Sequence, residues 1–236
     1  MNNRLSSLKD FLLNILYPKF CFGCNREGNY LCNDCLGTLG ISEYQYCLCE
    51  EPLRIPESGK CAKCQSRKLN GLYFSLPYKN PLVRKLIHQL KYEPFVKDLS
   101  KELARLIITS FSLMEKNNSF SDYILTFVPL HEKRLRERGF NQAEEIAKEL
   151  SRLLEIPLIN SLTRTRETLS QVDLSEAERK YNIKDAFLVK DKNIIKGKKI
   201  LLVDDVYTTG STMEECAFFL KLAGAKEVWG VAVARG

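Results

Sequence analysis

The chain has 236 residues, 44% of them hydrophobic and 28% charged, with a formal net charge of +7. That is the composition of an ordinary soluble protein, long enough for one sizeable core plus a small extra module. No apolar run approaches the ~20 residues that span a bilayer, and the mild positive excess suits polyphosphate or nucleic acid partners without demanding either.

Leu5, Leu8, Leu12, Ile15 and Leu16 share one helical face, interrupted by Arg4, Lys9, Asp10 and Asn14. A signal peptide needs an unbroken apolar centre and a small-residue cleavage site. The stretch reads instead as a short amphipathic helix docking on the fold. The expected compartment is therefore the reducing cytoplasm, with membrane association through partners.

Eight of the nine cysteines fall between positions 21 and 64, as the pairs Cys21/Cys24, Cys32/Cys35, Cys47/Cys49 and Cys61/Cys64. A C-x-x-C turn aims two sulfurs at one point, and two such turns complete a tetrahedral Zn²⁺ site. A disulfide framework would need an oxidising compartment. Sequential pairing puts Cys21, Cys24, Cys32 and Cys35 on one ion and Cys47, Cys49, Cys61 and Cys64 on the other; the spacing leaves a cross-braced scheme open. Four sulfurs per ion leave no open position, so the sites are expected to be structural. Residues 1–70 form this zinc-binding module and residues 71–236 the larger domain. The first part carries nine Lys/Arg against seven Asp/Glu, which leaves +5 of the net charge to the second.

In the larger domain, Tyr73 to Tyr78 reads as a strand, and Pro81 starts a helix carrying Leu82, Leu86 and Leu90 that ends at Lys91-Tyr92. Phe95 to about Met114 reads as a longer helix, and Tyr123 to Val128 as a second buried strand. PLHEKRLRERGFNQ follows, with Lys133, Arg134, Arg136 and Arg138 before Gly139. It reads as a polyanion loop between that strand and the helix Asn141 to Leu154, with Arg136 and Arg138 as its contact residues. Pro157 to Ile159 reads as a third short strand. A polar stretch with Arg164, Arg166, Gln171 and Arg179 then suits a lid over pyrophosphate. Phe187 to Val189 and Val228 to Val233 supply further strands. His88 and His131 are lone histidines without a metal-type partner at helical spacing.

The chain is organised around Ile200 to Met213, ILLVDDVYTTGSTM. The apolar run Ile200 to Val203 suits a strand buried on both faces. Asp204 and Asp205 follow, then Thr208, Thr209, Gly210, Ser211 and Thr212, and then a helix with Met213, Cys216, Ala217 and Leu220 on one face. A loop entering a helix N-terminus attracts phosphate, and four hydroxyls add donors. Two carboxylates at the strand end can accept from sugar hydroxyls or hold Mg²⁺ through water. The combination fits a ribose 5-phosphate. A P-loop would need Gly-Lys-Ser/Thr, and a dinucleotide fingerprint three glycines. Alternating strands and helices give an α/β fold, a parallel sheet with helices on both faces behind a small cysteine-rich zinc module.

VDDVYTTGST resembles the phosphoribosyl pyrophosphate (PRPP) motif of type I phosphoribosyltransferases. The resemblance implies Asp204 and Asp205 at the ribose hydroxyls and Thr208 to Thr212 around the 5-phosphate. The order of the cysteine-rich head, Lys91-Tyr92, VPLHEKRLRERGFNQ, TRTRETLSQ and VDDVYTTGST is similar to the ComF family over most of the chain; Cys47-x-Cys49 departs from that family's usual C-x-x-C. The family implies a zinc head on a phosphoribosyltransferase domain and a role in handling single-stranded DNA in natural competence, alongside DNA-uptake or helicase proteins. Three readings follow: an enzyme acting on PRPP·Mg²⁺ with an open acceptor, a PRPP- or nucleotide-sensing module that binds single-stranded DNA, and a zinc-dependent adaptor that docks a helicase or pore.

Overall fold

The computed structural model describes residues 18–55, 59–92, 96–116, 119–167 and 176–236; side chains are not described at 176, 177, 179 and 180. The amphipathic N-terminal stretch and Gln171 lie outside these residues, as does the side chain of Arg179.

Four parallel strands form the main sheet: β1 (Gly71–Pro77), β2 (Tyr123–Phe127), β5 (Lys199–Tyr207) and β6 (Glu227–Arg235), in the spatial order β1-β6-β5-β2. Their sequences are nearly continuous apolar runs because helices cover both faces. On one face lie α2 (Pro81–Lys91), α3 (Leu99–Leu113) and α5 (Gln142–Leu154), packed on Leu125, Phe127, Leu201 and Val203. On the other, α8 (Ser211–Leu222) packs on Ile124, Ile200, Leu202 and Ala232. Cys216 is fully buried in this second core, as its place on the apolar helix face requires.

Three elements differ from the sequence reading. The basic segment expected as a loop is a helix, α4 (Glu132–Arg138), capped by the His131 ring at one end and by Gly139 at the other. Gly139 adopts φ 74, a left-handed turn that suits glycine, so the chain reverses directly into α5. Pro157 to Ile159 makes a single parallel bridge, Leu158 to Leu125, rather than a strand. Phe187–Val189 (β4) does not join the parallel sheet. It pairs antiparallel with β3 (Leu162–Arg164) as a separate two-stranded unit. Leu162 and Phe187 are buried in the second core while Leu188 is exposed, so only one face of this unit is covered. The helix α6 (Glu176–Ile183) precedes β4, and Arg166 ties it to β3 by donating to the carbonyls of Asn182 and Lys184 at 3.0 and 2.7 Å. A short helix, α7 (Lys192–Ile195), leads into β5.

The cysteine-bearing segment holds one helical turn, α1 (Asn33–Leu36), and a 3-10 turn at Ala62–Cys64. It lies along the outer edge of β1, where Tyr46 bridges Leu72 and covers hydrogen-bonding groups that an edge strand would leave open. Arg235, at the end of β6, is buried and reaches into this segment. It donates to the Cys47 carbonyl at 2.7 Å and to the Cys49 carbonyl, and its guanidinium lies 5.5 Å from the Tyr207 ring centre. The Lys68 amide donates to Glu214 Oε2 in the first turn of α8 at 2.7 Å. Among the described residues, no helix is long and apolar enough to cross a membrane.

Candidate ligand cleft and cysteine clusters

At the carboxyl ends of β2 and β5, where ligands of parallel α/β sheets bind, a cleft of about 730 Å³ opens. That lies within the usual range for small-molecule sites. One wall is the end of β5 and the start of α8: Asp204, Asp205, Thr208, Gly210, Ser211 and Thr212. The facing wall comes from α2 and the β2–α5 connection, including Lys91, Tyr92, Arg134, Arg138, Asn141 and Gln142, with Arg164 of β3 alongside.

The two carboxylates diverge because strand side chains alternate. Asp205 follows the face of Leu201 and Val203, toward α2, and pairs with Lys91 Nζ at 2.6 Å. Asp204 follows the face of Ile200 and Leu202, toward α8. Each accepts the next residue's amide at 2.9 Å, Asp205 N to Asp204 Oδ1 and Val206 N to Asp205 Oδ1. Burial and then the charge of Asp205 push the Asp204 carboxyl up to about 8, with Lys91 acting in the opposite direction. A cation placed beside the two carboxylates would lower the cost of ionising Asp204.

Beyond Tyr207, Gly210 sits at φ 78, and a Cβ there would lie 2.3 Å from the Tyr207 hydroxyl. Only glycine lets the loop fold this close to β5. The N-cap of α8 is Gly210 itself, which has no side chain to cap the helix; the Ser211 amide donates to Thr209 Oγ1 at 3.4 Å, and Thr209 and Ser211 share a hydroxyl–hydroxyl hydrogen bond of 2.9 Å. A helix start with clustered hydroxyls is able to receive a phosphate. Thr209 supports this loop from behind and does not line the cleft.

The basic wall divides by helix face. Arg134 and Arg138, four residues apart on α4, both line the cleft. Arg136 points the other way, its side chain 76% exposed and 3.9 Å from Glu132, so it is not part of the wall. Arg138 lies 5.3 Å from the Tyr92 ring centre and donates to Gln142 Oε1 at 3.0 Å. Arg164 is only 8% exposed, against the Phe187 ring; burial and then nearby Arg134 lower its guanidinium to about 10. Arginines held close together against their own repulsion want an anion. Lys91, Tyr92, Arg134, Asn141 and Gln142 are among the lining residues the sequence reading did not assign. Arg134 could have been found from its four-residue spacing to Arg138; Lys91 meets Asp205 only through the tertiary fold.

The eight head cysteines gather into two groups, Cys21/Cys24/Cys32/Cys35 and Cys47/Cys49/Cys61/Cys64, with all Sγ atoms of a group within 4.8 Å of one another. That is the sequential pairing. Sulfurs approach to 3.5 Å for Cys24–Cys32 and Cys49–Cys61 and to 3.8 Å for Cys61–Cys64. Four sulfurs tetrahedral about Zn²⁺ at about 2.3 Å stand about 3.8 Å apart, so the donor set fits the ion. Backbone amides of Cys32, Leu53 and Cys61 donate to Cys21, Cys47 and Cys64 sulfurs. Within a group the thiols compete: against the cost of burial, amide donors lower Cys21 to about 6, while burial and then the neighbouring sulfurs push Cys35 up to about 12. A central cation would resolve that competition.

The sheet, the acidic pair and the hydroxyl loop define a phosphoribosyltransferase-type domain, and residues 136–236 match the family model of the phosphoribosyl transferase domain. Over 224 residues the chain is 31% identical to competence protein F of Haemophilus influenzae, covering 86% of this chain and 97% of that one. It is 30% identical over 207 residues to competence protein ComFC of Streptococcus pneumoniae, 86% of each. It is 36% identical over 154 residues to the DNA utilization protein YhgH of Escherichia coli K12, 63% of this chain and 66% of that protein. The chain belongs to the competence protein F (ComF) family.

Proposed function

We propose that the cleft binds PRPP together with Mg²⁺. The 5-phosphate sits on the Thr208 to Thr212 loop, the ribose diol against Asp204 and Asp205, and the pyrophosphate toward Arg138, Arg134 and Arg164. The observation that carries this reading is one continuous cleft with a hydroxyl-rich helix start at one side, adjacent carboxylates in the middle and arginines opposite. It matches, in order, a phosphate, a diol and a second, more highly charged phosphate group. Asp204 and Asp205 would hold Mg²⁺, which when bound supplies positive charge beside the pyrophosphate. Lys91 pairs with Asp205 and orients it, and the arginines stabilise negative charge that grows as pyrophosphate departs. The eight cysteines hold two structural Zn²⁺ ions that fix the head against β1 and β6.

From the family we infer a role in handling DNA taken up during competence. The relatives' names, competence protein and DNA utilization protein, point to it, and the positive excess of the larger domain suits a phosphate backbone. Isothermal titration of the zinc-loaded protein with PRPP, with and without Mg²⁺, tests the ligand. Saturable one-to-one binding that weakens without Mg²⁺ supports it; no binding at millimolar PRPP rejects it.

A further inference from the structure

We propose that Gln142 binds the pyrophosphate group directly: its amide nitrogen donates to a non-bridging oxygen, while its amide oxygen holds Arg138 in place for the same group. This rests on the PRPP reading above and names a residue that reading leaves out. Gln142 opens α5 and is only 3% exposed, yet it lines the cleft. Its Oε1 accepts from Arg138 Nη1 at 3.0 Å. Arginine offers only donors, so the amide has one orientation: the oxygen faces Arg138 and the nitrogen faces away. That Nε2 is buried and has no hydrogen-bond partner. Buried amide donors are almost always satisfied, so one left open at a cleft wall calls for an acceptor supplied from outside.

The surroundings define the acceptor. Arg138 lies between Tyr92 and Gln142, and the same cleft carries Arg134 and Arg164. A ligand that reaches Nε2 lies in a cleft whose wall carries three guanidinium groups, which favours an anionic oxygen over a neutral carbonyl. The 5-phosphate has its own cup at the start of α8, after β5, whereas Gln142 follows β2, the neighbouring strand. The anion on the β2 side is thus the pyrophosphate. A neutral donor here adds a hydrogen bond without crowding a further positive charge among the arginines.

The test titrates the wild type, Gln142→Met and Gln142→Glu with inorganic pyrophosphate and Mg²⁺, with PRPP and Mg²⁺, and with ribose 5-phosphate. Gln142→Glu keeps an acceptor for Arg138 and loses the donor; Gln142→Met loses both. Both variants are expected to bind pyrophosphate and PRPP at least tenfold more weakly, with Gln142→Glu the weaker, while ribose 5-phosphate affinity stays within twofold. Pyrophosphate affinity unchanged in Gln142→Glu overturns the inference. So does an equal loss for ribose 5-phosphate, which would make the residue merely structural. A wild type that binds pyrophosphate but not PRPP sinks the PRPP reading while the pyrophosphate titrations still decide the role of Gln142; a wild type that binds neither sinks both.

Discussion

Replacing Asp204 by Asn is expected to stabilise the ligand-free protein while removing its affinity for PRPP. Burial and the adjacent Asp205 raise the Asp204 carboxyl from an ordinary 3.8 to about 8. A rise of that size has a ceiling of about 6 kcal/mol. Water in the open cleft screens the group, and about 1–2 kcal/mol is the expected remainder. For a domain of this size that is about 3–6 °C in melting temperature. A carboxyl that holds its proton more tightly when folded loses stability as pH rises from its unfolded value to its folded one, and none beyond. The gap between the wild type and Asp204→Asn should therefore keep widening from pH 6 to pH 8 and stay constant above that. Thermal melts in this range, with zinc present and PRPP absent, measure the gap. A variant that melts at or below the wild type at pH 8, with the same slope, would refute the electrostatic account of the acidic pair.

Three further expectations concern the scaffold. Gly210→Ala places a Cβ 2.3 Å from the Tyr207 hydroxyl at a left-handed φ, so it should cost at least about 1–2 kcal/mol in urea unfolding and weaken ribose 5-phosphate binding. Arg235→Met leaves the Cys47 and Cys49 carbonyls without their buried donor; a loss of about 2–4 kcal/mol is expected from the same measurement. Metal analysis should find two Zn²⁺ per chain in the wild type and one in either Cys24→Ser or Cys61→Ser, and a single zinc in the wild type would show that one cluster does not bind.

The stretch from Ile200 to Thr212 was legible because its signals are local: an apolar run, two acids, a hydroxyl loop and a helix follow without a break. The cysteine pairs were legible for the same reason, although only the fold chooses sequential over cross-braced grouping. Arg136 shows where local reading fails. Taken as a loop, the basic segment offers all its arginines alike; as helix α4 it turns Arg134 and Arg138 to the cleft and Arg136 to solvent. Phe187–Val189 has a strand's composition, but composition does not say which sheet a strand joins. Lys91 and Gln142 become site residues only when α2 and the β2–α5 connection meet β5, contacts that no sequence window contains.

A crystal structure of the zinc-loaded protein grown with PRPP and Mg²⁺ decides whether the cleft is a PRPP site. The 5-phosphate is expected on the Thr208 to Thr212 loop, the ribose hydroxyls within hydrogen-bond reach of Asp204 and Asp205, and the pyrophosphate between Arg138 and Gln142. A ligand bound away from this loop, or one whose pyrophosphate occupies the start of α8, would contradict it.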